Sequence, residues 1–267
     1  MILLALAFLV SAQQQSIART VLATILNQRN QPIVDLETDD FVVRESGQPQ
    51  EVLSVRIADY PVAILIDNSA GSGADLEAMK VAAARFMTRV GDRPIAVGTL
   101  GPSAALLSSF TDERAISLAR VNAIAVEAGP AQTVAGMAAA AAHIRASTTP
   151  FASIVVLSAS AVPEGEASTA LLAAILDSRA IVHVVVHTPS PRAPVRDDLR
   201  RLTSQSRGQF TSIFSAASFQ VALDHLADQM AAEMMIDYMV PGNAPPKEDV
   251  TVGVRRPGAR VVGMGVR

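Results

Sequence analysis

The chain has 267 residues, of which 50% are hydrophobic and 18% are charged, and its formal net charge is −3. This composition is typical of a globular protein with one domain of about 200 residues and a smaller appendage. Acidic and basic residues are interspersed, so the chain lacks a basic stripe for phosphate binding and nucleic acid is excluded as a partner. Cysteine is absent, which excludes disulfides, thiolate metal sites and a cysteine nucleophile.

The chain begins with an apolar run, MILLALAFLVSA. At about 10 apolar residues the run is too short to span a bilayer, but it matches the hydrophobic region of a secretory signal. Val10-Ser11-Ala12 supplies a small-residue cleavage site. We therefore predict a signal peptide over residues 1–15, a secreted or periplasmic location and no membrane span. The alternative interpretation is an ordinary buried N-terminal strand or helix.

Residues 18–60 have the pattern of a small β segment. Three short alternating runs, TVLATIL, DFVVRES and EVLSVRIA, are separated by the turns NQRNQP and GQPQ. About 40 residues cannot bury much of a core alone, so the segment should pack against further structure. At the other end of the chain, residues 245–267 predict a β hairpin with Pro257-Gly258 in its turn, which we expect to pack with the N-terminal segment.

Residues 61–240 alternate strands with helices, which predicts a mainly parallel sheet with helices on both faces. Near-continuous aliphatic runs are typical of strands that are covered on both faces. Residues 103–110 are predicted to pair antiparallel with the strand before them. The predicted strands are 62–66, 95–100, 154–157, 181–186 and 209–213, and the predicted helices are 74–90, 113–123, 134–146, 168–178, 197–206 and 217–238.

Two helix starts and one long helix carry local signals. Ser72 followed by Asp75 predicts a capping box, and Thr133 is predicted at the N-cap of an alanine-rich helix. In the helix predicted over 217–238, Phe219 and Leu223 share a face with Met230 and Met234 at helical spacing, as a sheet-covering helix requires.

Ligands of open parallel sheets bind at the carboxyl ends of the strands. Asp67, Ser69, Ser72, Thr133 and the loop after Leu157 should all lie at that edge. The stretch ILIDNSAGS resembles the first strand of a von Willebrand factor type A domain, whose metal-ion-dependent adhesion site begins with Asp-x-Ser-x-Ser.

The resemblance extends over nearly the whole chain after Ala18. DFVVRESGQPQEVLSV, LRRLTSQSRGQF, FQVALDHLADQMAAEMMIDYMV and VRRPGARVVG follow the layout of the secreted bacterial VWFA-related Acidobacterial-type domain. The resemblance implies a three-layer, Rossmann-like α/β domain, with a central, mostly parallel sheet and helices on both faces. It also implies a small flanking β module made from the N- and C-terminal segments.

The family's metal site is matched only in part. The resemblance implies a magnesium or similar ion held by the first Asp, two Ser, a Thr and a last Asp, with one position open for an acidic residue of the partner. Asp67, Ser69 and Thr133 match this set. The third motif position is Gly71, with Ser72 one residue late. VVLSAS places Ala159 where the last Asp is expected, and Glu164 or Glu166 in the following loop are the nearest carboxylates.

We interpret these four residues, Asp67, Ser69, Ser72 and Thr133, as a degenerate metal site. Mg²⁺ prefers near-octahedral coordination by oxygen ligands, of which one or two are carboxylates. Here one of the family's two aspartates is absent, so half of the anionic charge of the site is missing. We therefore expect no cofactor, and weak binding of Mg²⁺ or Mn²⁺ is the alternative. Without an ion, Asp67 and Ser69 would satisfy turn amides while Ser72 and Thr133 cap helices.

The function predicted from these features is non-catalytic binding of a protein partner through the strand-end loops. The longest candidates are residues 158–168 and 187–194, and long loops at such an edge usually carry recognition. One alternative is a serine hydrolase with Ser69 as nucleophile and His187 as base, although the stretch lacks the first glycine of a nucleophile elbow. Another is a structural component of a larger assembly. We predict that the protein is not an enzyme.

Overall fold

The computed structural model describes residues 16–159, 169–188, 190, 197–242 and 249–266. The chain divides between Ile57 and Ala58, and again between Ala231 and Ala232, into two compact units. The strands are β1 (Ser16–Leu26), β2 (Phe41–Glu45), β3 (Gln48–Ile57), β4 (Val62–Ile66), β5 (Ile95–Thr99), β6 (Ser153–Ser158), β7 (Ile181–His187), β8 (Phe210–Ile213), β9 (Glu233–Pro241), β10 (Val250–Val254) and β11 (Arg260–Val266). The helices are α1 (Leu76–Arg89), α2 (Arg114–Ala123), α3 (Thr133–Ala146), α4 (Thr169–Asp177), α5 (Asp197–Gln205) and α6 (Ser218–Ala231).

Both ends of the chain build one antiparallel sheet of six strands in the order β10-β2-β3-β9-β1-β11. Between β2 and β3 the chain reverses through Ser46 and Gly47, whose φ angles of 51° and 77° belong to the tight turns that suit hairpins. The inward faces of these strands form an aliphatic core that includes Val21, Val43 and Ile236.

The C-terminal residues form two strands but not the predicted hairpin. In the described chain β10 is hydrogen-bonded to β2, and β11 is hydrogen-bonded to β1. The two strands lie at opposite ends of the strand order, yet they contact one another. Each C-terminal strand therefore satisfies its backbone groups against an N-terminal strand.

The helix predicted over 217–238 is wrong from Ala232 onwards. Helix α6 ends at Ala231, and strand β9 starts two residues later and pairs with both β1 and β3. Its alternate residues Met234, Ile236 and Tyr238 are buried in the core of the six-stranded sheet. Pairing with a strand on each side stabilises these residues as a strand, although the spacing of the methionines also fits a helix. Residues 233–240, which the sequence assigns to the strand–helix domain, therefore belong to the six-stranded sheet.

A buried polar cluster lies in the core of the same sheet. The guanidinium of Arg19 forms a salt bridge with Glu45, and both side chains are less than one tenth exposed. The Tyr238 hydroxyl donates to the second carboxylate oxygen of Glu45 at 3.2 Å. Burial and the adjacent Glu45 charge raise the pKa of Tyr238 to about 12. Each charged group thus has a partner, as burial of a charge requires.

Residues Ala58–Ala231 contain a parallel sheet of five strands in the order β5-β4-β6-β7-β8. Helices α3, α4 and α5 contribute side chains to one core with strands β4, β6 and β7. Helix α1 packs on both α2 and α6, and all three helices contact the strands. The predicted α/β class, with a parallel sheet flanked by helices and an additional β module, is confirmed. None of the helices in the described residues is both long and apolar enough to cross a membrane.

The segment 103–110 pairs antiparallel with β5, as predicted, but through an isolated bridge and not as a regular strand. One isolated bridge joins Gly98 to Leu106, and the Thr99 amide donates to the Ala105 carbonyl at 2.9 Å. A Cβ on Gly98 would lie 2.8 Å from that carbonyl, so the close approach requires glycine. The segment therefore covers the outer edge of β5 without extending the sheet.

His183, in the middle of β7, contains a buried imidazole nitrogen. Its Nδ1 has no hydrogen-bond partner among the described residues. Burial lowers the pKa of His183 to about 4. The neutral ring is therefore the form that suits the folded state.

We predict that the unfolding free energy falls as the pH is lowered from about 6.5 towards 4, because the unfolded chain then binds a proton that folded His183 does not. The slope for this residue is at most about 1.4 kcal/mol per pH unit. Urea unfolding of the wild type and of His183→Val, from about pH 7.5 to about pH 4.5, measures the slope. The variant should lose it, whereas His225→Gln, at an exposed position, should keep it. Equal slopes for wild type and His183→Val would contradict the prediction.

Candidate functional site

Asp67 directly follows β4, at the carboxyl edge of the parallel sheet. Its side chain is fully buried. One carboxylate oxygen accepts the Ser69 amide at 3.0 Å. The other accepts the Ser158 hydroxyl at 3.2 Å and the Ala159 amide at 3.3 Å. The carboxylate thus joins the loop after β4 to the end of β6 through three protein donors.

Ser69 and Ser72 form a compact turn after Asp67. Residues Ala70–Ser72 are a single 3-10 turn, and the Ser72 hydroxyl donates to the Ser69 carbonyl at 2.8 Å. Helix α1 starts at Leu76 with Asp75 at the N-cap, and no side chain caps it. The predicted capping box is therefore wrong, because the Ser72 hydroxyl is directed back into the turn.

Asn68 connects three loops of this edge, a role that the sequence analysis missed. Its side-chain oxygen accepts the Gly101 amide at 2.7 Å, and its side-chain nitrogen donates to the Ala125 carbonyl at 3.0 Å. Its own carbonyl accepts the Glu127 amide at 2.8 Å. A Cβ on Gly101 would lie 2.4 Å from the Asn68 oxygen. The short contact fixes the loop after β5 against the loop after β4.

The loop 124–132 leads to Thr133 and is anchored to the same turn. The Ala70 amide donates to the Gly129 carbonyl at 3.0 Å, and the Gln132 amide donates to the Leu100 carbonyl at 2.7 Å. Thr133 is fully buried. It is the first residue of α3, and Gln132 is the N-cap residue, without a side-chain cap. The observed N-cap is therefore one residue earlier than the predicted one.

Two positions of the expected ligand set carry no side-chain oxygen. Gly71 lies in the exposed turn, and a Cβ there would have only the Ser69 hydroxyl within 4 Å, at 3.9 Å. Ala159 follows β6 and contributes its backbone amide to Asp67. Glu164 and Glu166, the carboxylates nearest in sequence to Ala159, lie outside the described residues. Most of the two long loops, 158–168 and 187–194, also lies outside them.

His187 forms a pair with Asp75 at the same edge. Its Nδ1 lies 2.8 Å from the Asp75 carboxylate, and its ring packs edge-on against Phe219, with centroids 6.5 Å apart. Both side chains are more than four fifths buried. Within the described structure no hydrogen bond joins His187 to Ser69, the pair that a serine hydrolase would use. The His187–Asp75 contact instead joins the end of β7 to the start of α1.

Little in the sequence signals the roles of Asn68, Gly101 and Asp75. Asn68 occupies a position that the Asp-x-Ser pattern leaves unspecified. Gly101 follows a strand, as glycine often does, and its lack of a Cβ matters only because Asn68 packs on it. Asp75 and His187 are 112 residues apart in the chain. Only the fold brings such pairs together.

Neither a protein-family profile nor a curated protein matches this sequence. Among solved structures, the von Willebrand factor type A protein from Catenulispora acidiphila aligns with a TM-score of 0.57 at 13% identity, covering 96% of this chain and 74% of that one. Proximal thread matrix protein 1 from the mussel byssus aligns with a TM-score of 0.53 at 11% identity, covering 68% of this chain. The alignment covers 48% of the mussel protein, so this chain spans about half its length.

These likenesses define the class of the protein by fold. The parallel sheet of Ala58–Ala231, with its helices, is a von Willebrand factor type A fold. The prediction made from ILIDNSAGS and from the alternation of strands and helices is confirmed at this level. The more specific resemblance, to the Acidobacterial type, stays a prediction.

We predict that Asn68→Ala destabilises the protein by about 1–3 kcal/mol, because it leaves the Gly101 amide and the Ala125 carbonyl without their partner. Hydrogen exchange of the Gly101 amide should accelerate at least about tenfold, since that bond protects it locally. Asn122→Ala, at an exposed position of α2, serves as the control and should change neither quantity. Unchanged exchange at Gly101 in the Asn68 variant would show that the side chain does not hold this loop.

Proposed function

We propose that this protein is an exported, non-catalytic binding module that engages a protein partner through the carboxyl edge of its parallel sheet without a metal ion. The observation that carries the proposal is the state of Asp67. Its carboxylate is bonded by two backbone amides and one hydroxyl, and the neighbouring Ala159 adds no second carboxylate.

The residues at this edge do not fit the ion that the fold family implies. Such a site needs about six oxygen ligands, with one or two carboxylates. Asp67 supplies the one carboxylate, and Ser69 and Thr133 keep their hydroxyls. Gly71 and Ala159 supply no side-chain oxygen, and the Ser72 hydroxyl is directed at the Ser69 carbonyl. Within the described part of the chain, the remaining donor set is too small and too weakly charged to hold a divalent cation firmly.

Hydrogen bonds stabilise the Asp67 carboxylate. An ionised carboxylate is favoured by backbone amides and hydroxyls that point at it, and such charge-assisted bonds are stronger than neutral ones. In this protein three donors converge on Asp67, and Asn68 separately connects the adjoining loops. The edge is therefore organised by the chain itself, as a binding surface that works without a cofactor requires.

Two further features of the sequence support the proposed export and the proposed family. The apolar run MILLALAFLVSA, followed by a small-residue cleavage site, supports export to the periplasm or beyond. The ordered blocks DFVVRESGQPQEVLSV and VRRPGARVVG support placement with the secreted VWFA-related Acidobacterial-type proteins. The blocks fall in strands β2 and β3 and around the turn between β10 and β11.

The main alternative is a module that binds Mg²⁺ or Mn²⁺ weakly. It is favoured by the retention of Asp67, Ser69 and Thr133 at the expected positions. The two proposals differ in one measurable quantity, the affinity of the wild-type chain for a divalent cation.

Calorimetric titration with Mg²⁺ and Mn²⁺ separates them. We expect no binding by the wild type at up to about 10 mM metal. The double variant Gly71→Ser/Ala159→Asp should bind, because it restores a hydroxyl and a carboxylate and the space at Gly71 accepts the new Cβ. Ala139→Asp, on the exposed face of α3, adds the same charge elsewhere and should not bind. Binding by the wild type at any metal concentration up to about 10 mM would favour the metal-dependent alternative.

A further inference from the structure

Strand β8 lies at one end of the strand order of the parallel sheet, and it pairs with β7 alone among the described strands. The carbonyls of Gln209 and Ile213 accept amides of β7 and of the residue after it, each at 2.8 Å. Alternate residues of a paired strand direct their backbone groups to opposite sides. The amides and carbonyls of Phe210 and Ser212 therefore face away from β7, on what we call the outer side of β8. Within the described residues these four groups have no backbone partner.

The sequence of β8 lacks the features that usually prevent an exposed strand from pairing. Edge strands are commonly protected by charged side chains, by proline or by a bulge. The stretch 208–214, GQFTSIF, contains no charged residue and no proline, and its register with β7 is regular. Phenylalanine, threonine and isoleucine also favour the extended backbone. The outer side of β8 is therefore suited to accept a further strand.

The charge next to β8 is positive. Arg200 of α5 is exposed, and its guanidinium lies over the Phe210 ring, 5.2 Å from the ring centroid. In the described part of the chain it forms no salt bridge, although Asp197 and Asp198 are close in sequence. Arg207, between α5 and β8, is exposed and also without a described ionic partner. A carboxylate brought to this surface would be attracted by both arginines.

A large apolar side chain is exposed where β8 ends. Phe214 directly follows the strand and is 64% exposed. A strand that runs along the outer side of β8 would pass this ring and cover part of it. The apolar area removed from water would then add to the main-chain hydrogen bonds of the new pair.

We infer that the outer side of β8 binds an extended, acidic peptide segment of a partner, which adds one strand to the sheet. An antiparallel segment would exchange about four hydrogen bonds with Phe210 and Ser212. Residues directly opposite one another in a ladder have their side chains on the same face. The partner residue opposite Phe210 thus reaches the face on which Arg200 lies, and an aspartate or glutamate there would pair with Arg200. This surface is not the carboxyl edge, so the inference is independent of the proposed function.

Selection from a displayed library of random peptides of about eight residues, with counter-selection against Ser212→Pro, tests the inference on the full chain. Proline removes the Ser212 amide, which faces away from β7, and so leaves the native ladder its hydrogen bonds. The selected peptides should be rich in β-branched residues and should carry aspartate or glutamate. A resynthesised peptide at saturation should slow hydrogen exchange of the Ser212 amide at least about tenfold.

The role of the charge is measured with two arginine variants. Arg200→Gln should weaken the peptide about three- to fivefold at about 50 mM NaCl, and the loss should shrink at about 300 mM NaCl. Arg120→Gln, which removes an exposed arginine of α2, should leave the affinity unchanged.

Methylation of the peptide's backbone nitrogens tests the strand pairing on the wild-type chain, and it needs no folded Ser212→Pro. Only alternate amides of a paired strand face its neighbour. Methylation of one alternate set should therefore weaken binding at least about tenfold, whereas methylation of the other set should not.

Four outcomes would overturn the inference. One is a selection without any peptide that prefers the wild type to Ser212→Pro, and another is a peptide that tolerates methylation of both sets. The third is equal affinity for the wild type and Arg200→Gln at low salt. The fourth is a dimer in sedimentation equilibrium that Ser212→Pro abolishes, because the occupant would then be a second copy of this chain.

Discussion

A buried carboxylate that accepts hydrogen bonds from two neighbouring strand ends is the constraint around which this edge is built. Asp67 sits at the end of the central strand pair with no exposure to solvent, so its charge must be compensated by the protein. The Ser69 and Ala159 amides and the Ser158 hydroxyl do so. Because two of these donors come from the end of β6, the charge also holds two neighbouring strand ends in register.

Hydrogen bonds from Asn68 extend this arrangement from one strand end to three loops. A single amide side chain has both a donor and an acceptor, and here each is used on a different loop. Gly101 makes the contact close enough, since any larger residue would collide with the Asn68 oxygen. The loops that would form a binding surface are thus fixed by neutral, short-range interactions. Such interactions depend on neither salt nor a cofactor, in contrast to the ion-centred site that the family resemblance implies.

The two sheets differed in how well they could be predicted. The parallel strands are continuous aliphatic runs covered on both faces, and the runs at 62–66 and 181–186 agree with β4 and β7 to within one residue. Strand β9 was not predicted, because the residues before it form a helix and methionine is compatible with both a helix and a strand. Its period-two pattern, in which Met234, Ile236 and Tyr238 face the core, is present in the sequence. That pattern became decisive only with β1 and β3 on either side.

The family resemblance predicted that Asp67, Ser69 and Thr133 lie at one edge of the sheet. It also predicted that Ala159 occupies the position at which the family has its last Asp. The partners of Asp67 could not be read from the chain, because Ser158 lies 91 residues away from it. The same holds for Asp75, which was predicted to form a capping box with Ser72 and whose side chain instead contacts His187.

By itself the sequence determined the fold class and the positions of the parallel strands, because both depend on residue type and local periodicity. Only the tertiary structure decided which donors compensate Asp67, which loops Asn68 joins and which sheet receives residues 233–241. Those outcomes depend on distances between residues far apart in the chain, and local physical chemistry does not specify such distances.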